Sequence, residues 1–305
     1  MKDEKKTLGE SLNRFGRVTP KSNRILTILL GILSFLSVVP FILVAIISFS
    51  SSMSIKKYGY SFFPKQWSLE AYQTVFADGQ IFKSFGYSLV ITVIGTIIGV
   101  FLMSTYAYTL SRKTYAYRGF LNKFSVMPML FSGGMIGSYI VVINILQLRN
   151  SIWSLILPLC MSTFSIMVLR TFYQMSVPDA LIESAYIDGA SEWQIYFKII
   201  LPLSLPGLAT IALFLTLGYW NDWLSALLYI DDNKIVPLQY LLIKMQNNVE
   251  FLSTNTSVGV AQTGNLPTET IRMAVVVVST LPVLIAYPFF QKYFIGGLTV
   301  GAVKE

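Results

Sequence analysis

Between Glu183 and Pro202 the chain reads ESAYIDGASEWQIYFKIILP. Three acids (Glu183, Asp188, Glu192), an Asp-Gly pair and a Leu-Pro interrupt a chain that is otherwise strongly apolar. SIWSLILPLCMSTFSIMVL precedes the stretch at 151–169, and LSLPGLATIALFLTLGYW follows at 203–220. Local signals give it a shape. Ser176 is placed to cap a helix start, with Asp179 three residues later and Pro178 in the first turn. Asp188-Gly189 reads as a turn, glycine supplying a positive φ. Ser191 with Gln194 repeats the capping pattern, and Leu201-Pro202 ends the second helix. The expectation is a helix–turn–helix over 176–202.

The surroundings decide the solvent. Hydrophobic residues make up 54% of the 305 and charged residues 12%, about half the share of a soluble domain. A soluble protein so apolar could not cover its surface, so the chain reads as an all-α integral membrane protein. Six stretches approach the roughly 20 apolar residues that a spanning helix needs. They fall near 25–49, 86–110, 120–146, 152–172, 205–230 and 273–294. The first is too long for the core of a signal peptide, and no small-residue cleavage site follows it.

The net charge is +8. In this setting the basic residues mark topology rather than nucleic-acid binding, because cytoplasmic loops collect Lys and Arg. Lys2, Lys5, Lys6, Arg14, Arg17, Lys21 and Arg24 precede the first span, and Arg112, Lys113 and Arg118 follow the second. Both groups share one side if the N-terminus is cytoplasmic. The 176–202 loop and the C-terminus then face the cytoplasm, and the loops at 50–85 and 231–270 face outward. Lys56, Lys57, Lys65 and Lys83 lie in the outward loops and run against this bias.

Catalytic metal and redox chemistry lack their ligands. There is no His, and Cys160 is the single cysteine, set in an apolar run as a small core or lipid-facing residue. A membrane transferase needs convergent acids or His at the membrane face, and here the acids gather in one loop. Gly95 with Gly99, and Gly133 with Gly137, are spaced for close helix approach.

The frame Glu183, Ser184, Ala185, Gly189, Ile199, Leu201, Pro202 resembles the EAA---G---------I-LP motif of permease subunits of binding-protein-dependent ABC importers. Asp188 and Ala190 complete the IDGA of carbohydrate-type members, and Ser184 departs from the motif's first Ala. FSGGMIGSYIVV, MVLRTFYQ, YWNDWLSALLYI and the ending KYFIGGLTVGAVKE are similar to the same branch, most of all to the six-span maltose-type subunit.

The resemblance implies a domain plan: a basic segment 1–24, a permease domain 25–295 and a tail 296–305. It implies a bacterial plasma-membrane protein with both termini cytoplasmic, moving a sugar or oligosaccharide by alternating access. The motif would be a coupling helix that docks on a cytoplasmic ATPase dimer through Glu183, Ser184, Ala185, Asp188, Gly189, Ala190, Leu201 and Pro202. Gly301–Glu305 would reach toward that dimer's interface. A second permease subunit and an extracytoplasmic solute-binding protein would complete the assembly, with membrane lipid around it. No cofactor or metal is implied, and no nucleic-acid partner. The chain has no GxxxxGK[ST], so ATP hydrolysis falls to the partner. Trp220, Asn221, Asp222 and Trp223 combine aromatic faces with hydrogen-bonding groups suited to sugar hydroxyls and are candidate pathway residues. A polyol or glycerol phosphate permease, and a receptor-like interaction protein, are the competing readings.

Overall fold

The computed structural model describes residues 20–77, 79–131, 133–232, 234–254 and 268–302. The fold is all-helical, and among the described residues the only strand-like feature is one isolated bridge between Ser50 and Trp67. Among the described residues three helices are long and apolar enough to cross a bilayer: α1 (Pro20–Ser48), α4 (Gln80–Ser111) and α14 (Thr268–Ala302). Between α1 and α4 lie two short helices, α2 (Ser52–Tyr58) and α3 (Glu70–Phe76). α1 packs on α14 and leaves Ile25, Leu29, Ile32 and Phe35 more than half exposed, as suits a helix bathed in lipid.

The other apolar stretches are broken helices. α5 (Arg118–Leu130) is followed by α6 (Gly134–Ile140), which runs into a π turn at Val141–Ile145. α7 (Ile152–Ile156) tightens into a 3₁₀ turn at Leu157–Leu159, then bends by 50° into α8 (Thr163–Ser176). The helix closing the 192–203 segment bends by 81° into α11 (Leu205–Asn221). Counting each bent pair as one crossing gives up to six.

The apolar stretches at 120–146, 152–172 and 205–230 are thus interrupted within the structure. Two of the breaks have a local cause. Ser162 accepts the N–H of Ser165 at 3.4 Å and starts α8 afresh. Asp222 Oδ1 accepts the N–H of Ser225 at 3.1 Å, ending α11 and starting α12 (Leu224–Tyr229). Such side-chain caps offer the backbone an alternative to the helical ladder, and a hydropathy window does not register them.

α4 forms the axis. It packs against α8, α11 and α13 (Leu238–Thr254). Without a hydrophobic drive between helices in lipid, close packing carries the association. A Cβ on Gly95 would lie 2.5 Å from Cζ of Tyr219, and one on Gly99 would lie 2.9 Å from the Cys160 carbonyl oxygen. These two glycines thus let α4 meet α11 and the α7–α8 corner directly. Tyr219 is held in turn by its hydroxyl, which donates to Ile156 O at 2.8 Å. Cys160 is buried at this contact. Gly133 and Gly137 have open space around them, so the second glycine pair does no packing against the described residues.

Candidate functional site

The stretch that interrupts the apolar sequence folds as two short helices between α8 and α11. α8 runs through Ser176, so Ser176 ends a helix rather than capping the next one. Pro178 is the reason. It pushes the residue before it out of the helical region, and Val177 takes φ −118° and ψ 109°. Pro178 itself occupies the N-cap position of α9 (Asp179–Ile187). Sequence spacing alone could not tell a serine ending one helix from a serine starting another.

The α9 terminus matches expectation. Gly189 has φ +77°, a conformation that glycine enters without penalty. Its N–H donates to Tyr186 O at 3.0 Å, and the N–H of Ala190 donates to Ala185 O at 2.9 Å. These two bonds form a Schellman C-cap. Ala185 and Ala190, the residues that the cap brings together, pack half-buried against the main core. Next, Ser191 accepts the N–H of Gln194 at 3.4 Å while Gln194 Oε1 accepts the N–H of Ser191 at 2.8 Å. This reciprocal box starts α10 (Glu192–Ile195).

Leu201-Pro202 does not end the second helix. α10 continues through a π turn at Tyr196–Ile200 into Leu201–Leu203 and breaks only at Ser204. A mid-helix proline lacks an N–H and crowds the carbonyl four residues back. The wider π turn directly before Pro202 shifts the ladder by one residue and accommodates the ring. Ile199 and Leu201 pack against the core, whereas Pro202 is exposed.

The segment presents one outer face. Glu183, Ser184, Asp188 and Gly189 are exposed. Ile187 stands among them 86% exposed, at the tip of α9. Ile182 on the opposite side is buried. Ser184 Oγ donates back to Leu181 O at 3.0 Å, so its extra hydroxyl is satisfied within its own turn.

The inner side is fastened to the helical bundle by polar contacts that sequence reasoning missed. Ser104 of α4 bonds both the Tyr173 hydroxyl of α8 (2.6 Å) and the Tyr196 hydroxyl of the π turn (2.7 Å), all three buried. Glu192 accepts from the hydroxyls of Tyr108 and Tyr186, tying the start of α10 to α4 and to α9. Burial, then the Glu192 acceptor, pushes the Tyr186 phenol above its ordinary value. Lys113 Nζ meets Asp179 Oδ2 at 2.7 Å and holds that carboxyl below the usual carboxylate range. The signal that could have found these was the run of Tyr and Ser inside apolar helices, where a hydroxyl must find a partner.

The four candidate pathway residues separate. Trp220 is 5% exposed, and its Nε1 donates to Ser279 O at 3.1 Å beside Phe85, so its polar edge is occupied in packing α4, α11 and α14. Asn221 is exposed, donating to Leu217 O at 2.9 Å and accepting from Gln239 at 3.4 Å. Asp222 spends one oxygen on the α12 cap, and Trp223 is 38% exposed.

Among the described residues no group of three or more His, Cys, Asp or Glu is placed to hold a metal. Residues 1–19, much of the 231–270 loop (255–267) and the tail end Val303–Glu305 lie outside the described residues.

A family model described as "Binding-protein-dependent transport system inner membrane component" matches residues 95–300. The chain is 42% identical over 270 residues to the polygalacturonan/rhamnogalacturonan transport system permease protein YtcP of Bacillus subtilis (strain 168), covering 88% of this chain and 92% of that one. It is 28% identical over 299 residues to the arabinooligosaccharides transport system permease protein AraQ of Halalkalibacterium halodurans, covering 94% and 99%. Among solved structures it resembles a chain from a bacterial ABC transporter involved in the import of the acidic polysaccharide alginate, with TM-score 0.77, 28% identity, and coverage of 91% and 99%.

Proposed function

The chain belongs to the binding-protein-dependent transport system inner membrane component family, and from that premise we propose how its parts work. It is a multi-pass transmembrane subunit of an ABC sugar importer. Such a subunit works with a partner permease, an ATPase and a binding protein. The proposal adds that sugar or oligosaccharide moves inward by alternating access, with both chain termini and the α9–α10 segment on the cytoplasmic side. The partner permease is a different chain, and the ATPase is a dimer. The domain plan of 1–24, 25–295 and 296–305 goes with this reading.

The observation that carries it is the two-sided character of the α9–α10 segment. Its outer face offers Glu183, Ser184, Ile187, Asp188 and Gly189, with Ala185 and Ala190 behind them. Carboxylates there can meet Arg, Lys or backbone N–H on an ATPase surface. Ile187, 86% exposed, supplies an apolar tip for a cleft. The inner face is bolted through Ser104 and Glu192 to α4 and α8. Leu201 and Pro202 then lead directly into the 81° bend before α11. A push on the outer face is thereby delivered to three membrane helices as one rigid piece. Asn221, Asp222 and Trp223 sit at the α11–α12 break and are proposed to line the pathway, with Trp220 supporting them from within the packing. Gly301–Glu305 are proposed to reach toward the ATPase dimer.

The test is reconstitution. The chain with its partner permease, ATPase and binding protein should accumulate labelled oligosaccharide in proteoliposomes only with ATP. Gly189→Pro should abolish uptake and weaken co-purification with the ATPase. Normal uptake by that variant would sink the coupling role.

A further inference from the structure

Three of the lysines that ran against the topology bias stand on one short stretch, SMSIKKYGYSFFPKQWSL at 52–69. No Asp or Glu falls between 25 and 69. The next acid, Glu70, opens α3, where the helix dipole favours it. Tyr58, Tyr60, Phe62, Phe63 and Trp67 are all exposed on this stretch. α4 is continuous over 32 residues, roughly 45 Å at the usual rise per residue. Its C-terminal end meets the α9–α10 segment through Tyr108 and Glu192, and its N-terminal end therefore lies at the far end of the bundle. Ala71 and Val75 of α3 share a buried cluster with Ile81 in the first turn of α4 and with Ile271 of α14. That cluster places the 52–69 stretch at the same far end.

The stretch begins where the apolar, lipid-facing surface of α1 stops, at Phe49-Ser50-Ser51-Ser52. Two backbone bonds fix its far half there. The N–H of Ser51 donates to Gln66 O at 3.0 Å, and that of Ser68 donates to Phe49 O at 2.9 Å. Trp67, 64% exposed, is thereby pinned beside the end of α1. An apolar notch of about 350 Å³ opens at the same place, lined by Phe49, Trp67, Ser68 and Leu69. The other half is tied to the first turn of α14. Ser52 Oγ and Thr270 Oγ1 lie 3.0 Å apart, and the Tyr60 hydroxyl donates to Glu269 at 3.1 Å. α2 itself is two-sided. Ser54 is buried, while Met53, Lys56 and Lys57, spaced three and four residues apart, share an exposed face. Lys65 Nζ lies 3.9 Å from the centre of the Tyr58 ring and Lys57 Nζ 5.4 Å from it, so two lysines converge on one aromatic. Phe63 is 88% exposed. Aromatic rings at the mouth of a spanning helix belong at headgroup depth, and lysines at that depth meet lipid phosphates. A soluble partner would reach this surface from above. The notch and Trp67 instead continue the side of α1, which points into lipid.

We propose that the 52–69 stretch lies in the headgroup layer of the leaflet opposite the α9–α10 segment and gathers anionic phospholipid there. Phe63 and Trp67 reach the acyl boundary, and Lys56, Lys57 and Lys65 meet the headgroup phosphates. The proposal needs only a membrane-spanning bundle and does not depend on the transported solute. It gives three lysines a reason to stand where topology alone disfavours them. It also gives the stretch a task, which is to hold the ends of α1 and α14 at fixed depth while the other side of the bundle is pushed.

A fluorophore at position 63 provides the test. The chain with Cys160→Ala and Phe63→Cys carries one thiol for a bimane label, and the exposed Phe63 ring can be replaced without opening a cavity. It is assembled with cysteine-free partner subunits in phosphatidylcholine vesicles. These contain a minor share of either phosphatidylglycerol or phosphatidylcholine with a nitroxide on the acyl chain next to the headgroup. Both nitroxide lipids should quench the label, phosphatidylglycerol more strongly, while iodide on both sides of the membrane should quench it far less than a free bimane–cysteine conjugate. Lys56→Gln, Lys57→Gln and Lys65→Gln together should lower the preference for phosphatidylglycerol by about tenfold or more. The matching triple Arg variant should keep it, and high salt should weaken it. Quenching by iodide as strong as for the free conjugate, with none by the nitroxide lipids, would overturn the proposal. A label that is shielded only after the binding protein is added would assign the surface to that protein and overturn it equally. Equal quenching by the two lipids, or a preference that survives the triple Gln variant, would overturn the selection of anionic headgroups. None of these outcomes touches the coupling role, which the uptake and co-purification of Gly189→Pro decide separately.

Discussion

Replacing Gly189 by Ala isolates the backbone geometry of the docking turn. At φ +77° an added Cβ meets nothing within 4 Å, so no clash contributes. What remains is the intrinsic penalty of the left-handed region for an L-residue, about 1–2 kcal/mol. That penalty opposes a cap made of two hydrogen bonds, Gly189 N–H to Tyr186 O and Ala190 N–H to Ala185 O. A loss of 1–2 kcal/mol raises the open population of the turn by about 5- to 30-fold. Hydrogen exchange read by mass spectrometry on the peptide spanning 183–195 should report that increase in the assembled transporter. Gly189→Asn should cost less, since Asn is the next best occupant of this position. The Ser104–Tyr196 contact lies on the far side of the segment, so exchange in α4 should be unchanged. Exchange at 189–190 in the Ala variant matching the parent would refute the idea that the left-handed glycine holds the turn.

Other consequences follow from particular contacts. Gly95→Ala sets a methyl 2.5 Å from the Tyr219 ring, whose hydroxyl is tied to Ile156 O. Overpacking of about 1–3 kcal/mol should lower the thermal midpoint in detergent, whereas Gly137→Ala, in open space, should not. Equal midpoints for the two would contradict the packing assignment. Ser104→Ala strands the Tyr173 and Tyr196 hydroxyls and should cost about 1–3 kcal/mol. Tyr173→Phe in the same background should recover part of that loss in thermal melts. The Asp179 carboxyl is held low by Lys113, so its contribution is present above the unfolded value of about 3.9. It disappears only as pH falls through the still lower folded value. Both side chains are more than half exposed, which leaves such a pair weak. Asp179→Asn should therefore leave the melting profile flat between neutral pH and mild acid, and a steep new dependence there would show a stronger role.

Features written in consecutive residues were legible in the sequence, and features made by distant ones were not. The Asp188-Gly189 turn, the Ser191/Gln194 box and the Gly95/Gly99 approach all rest on short-range rules, and the structure contains each. Ser176 was misread because Ser-x-x-Asp fits a helix start, while Pro178 places the boundary two residues later. Leu201-Pro202 was misread as a stop because a π turn that absorbs a proline has no sequence signature in the apolar run before it. The breaks at 160–162 and 222–223 interrupt stretches whose average hydropathy hardly changes. The Ser104 hub joins residues 69 and 92 positions apart. Glu192 stood out as an acid, but its clamping tyrosines come from α4 and α9, and only the fold brings them together.

Cross-linking through position 184 probes the docking of the α9–α10 segment on an ATPase most directly. Cys160 is the single native cysteine and is buried, so a Cys160→Ala, Ser184→Cys chain carries one reactive thiol on the exposed face of α9. In the assembled transporter a short bismaleimide should join it to a cysteine introduced along the ATPase cleft, with a yield that changes on adding ATP. No ATPase adduct at position 184, together with efficient ATPase cross-linking from a cysteine placed at Lys83, would contradict both the orientation and the coupling role.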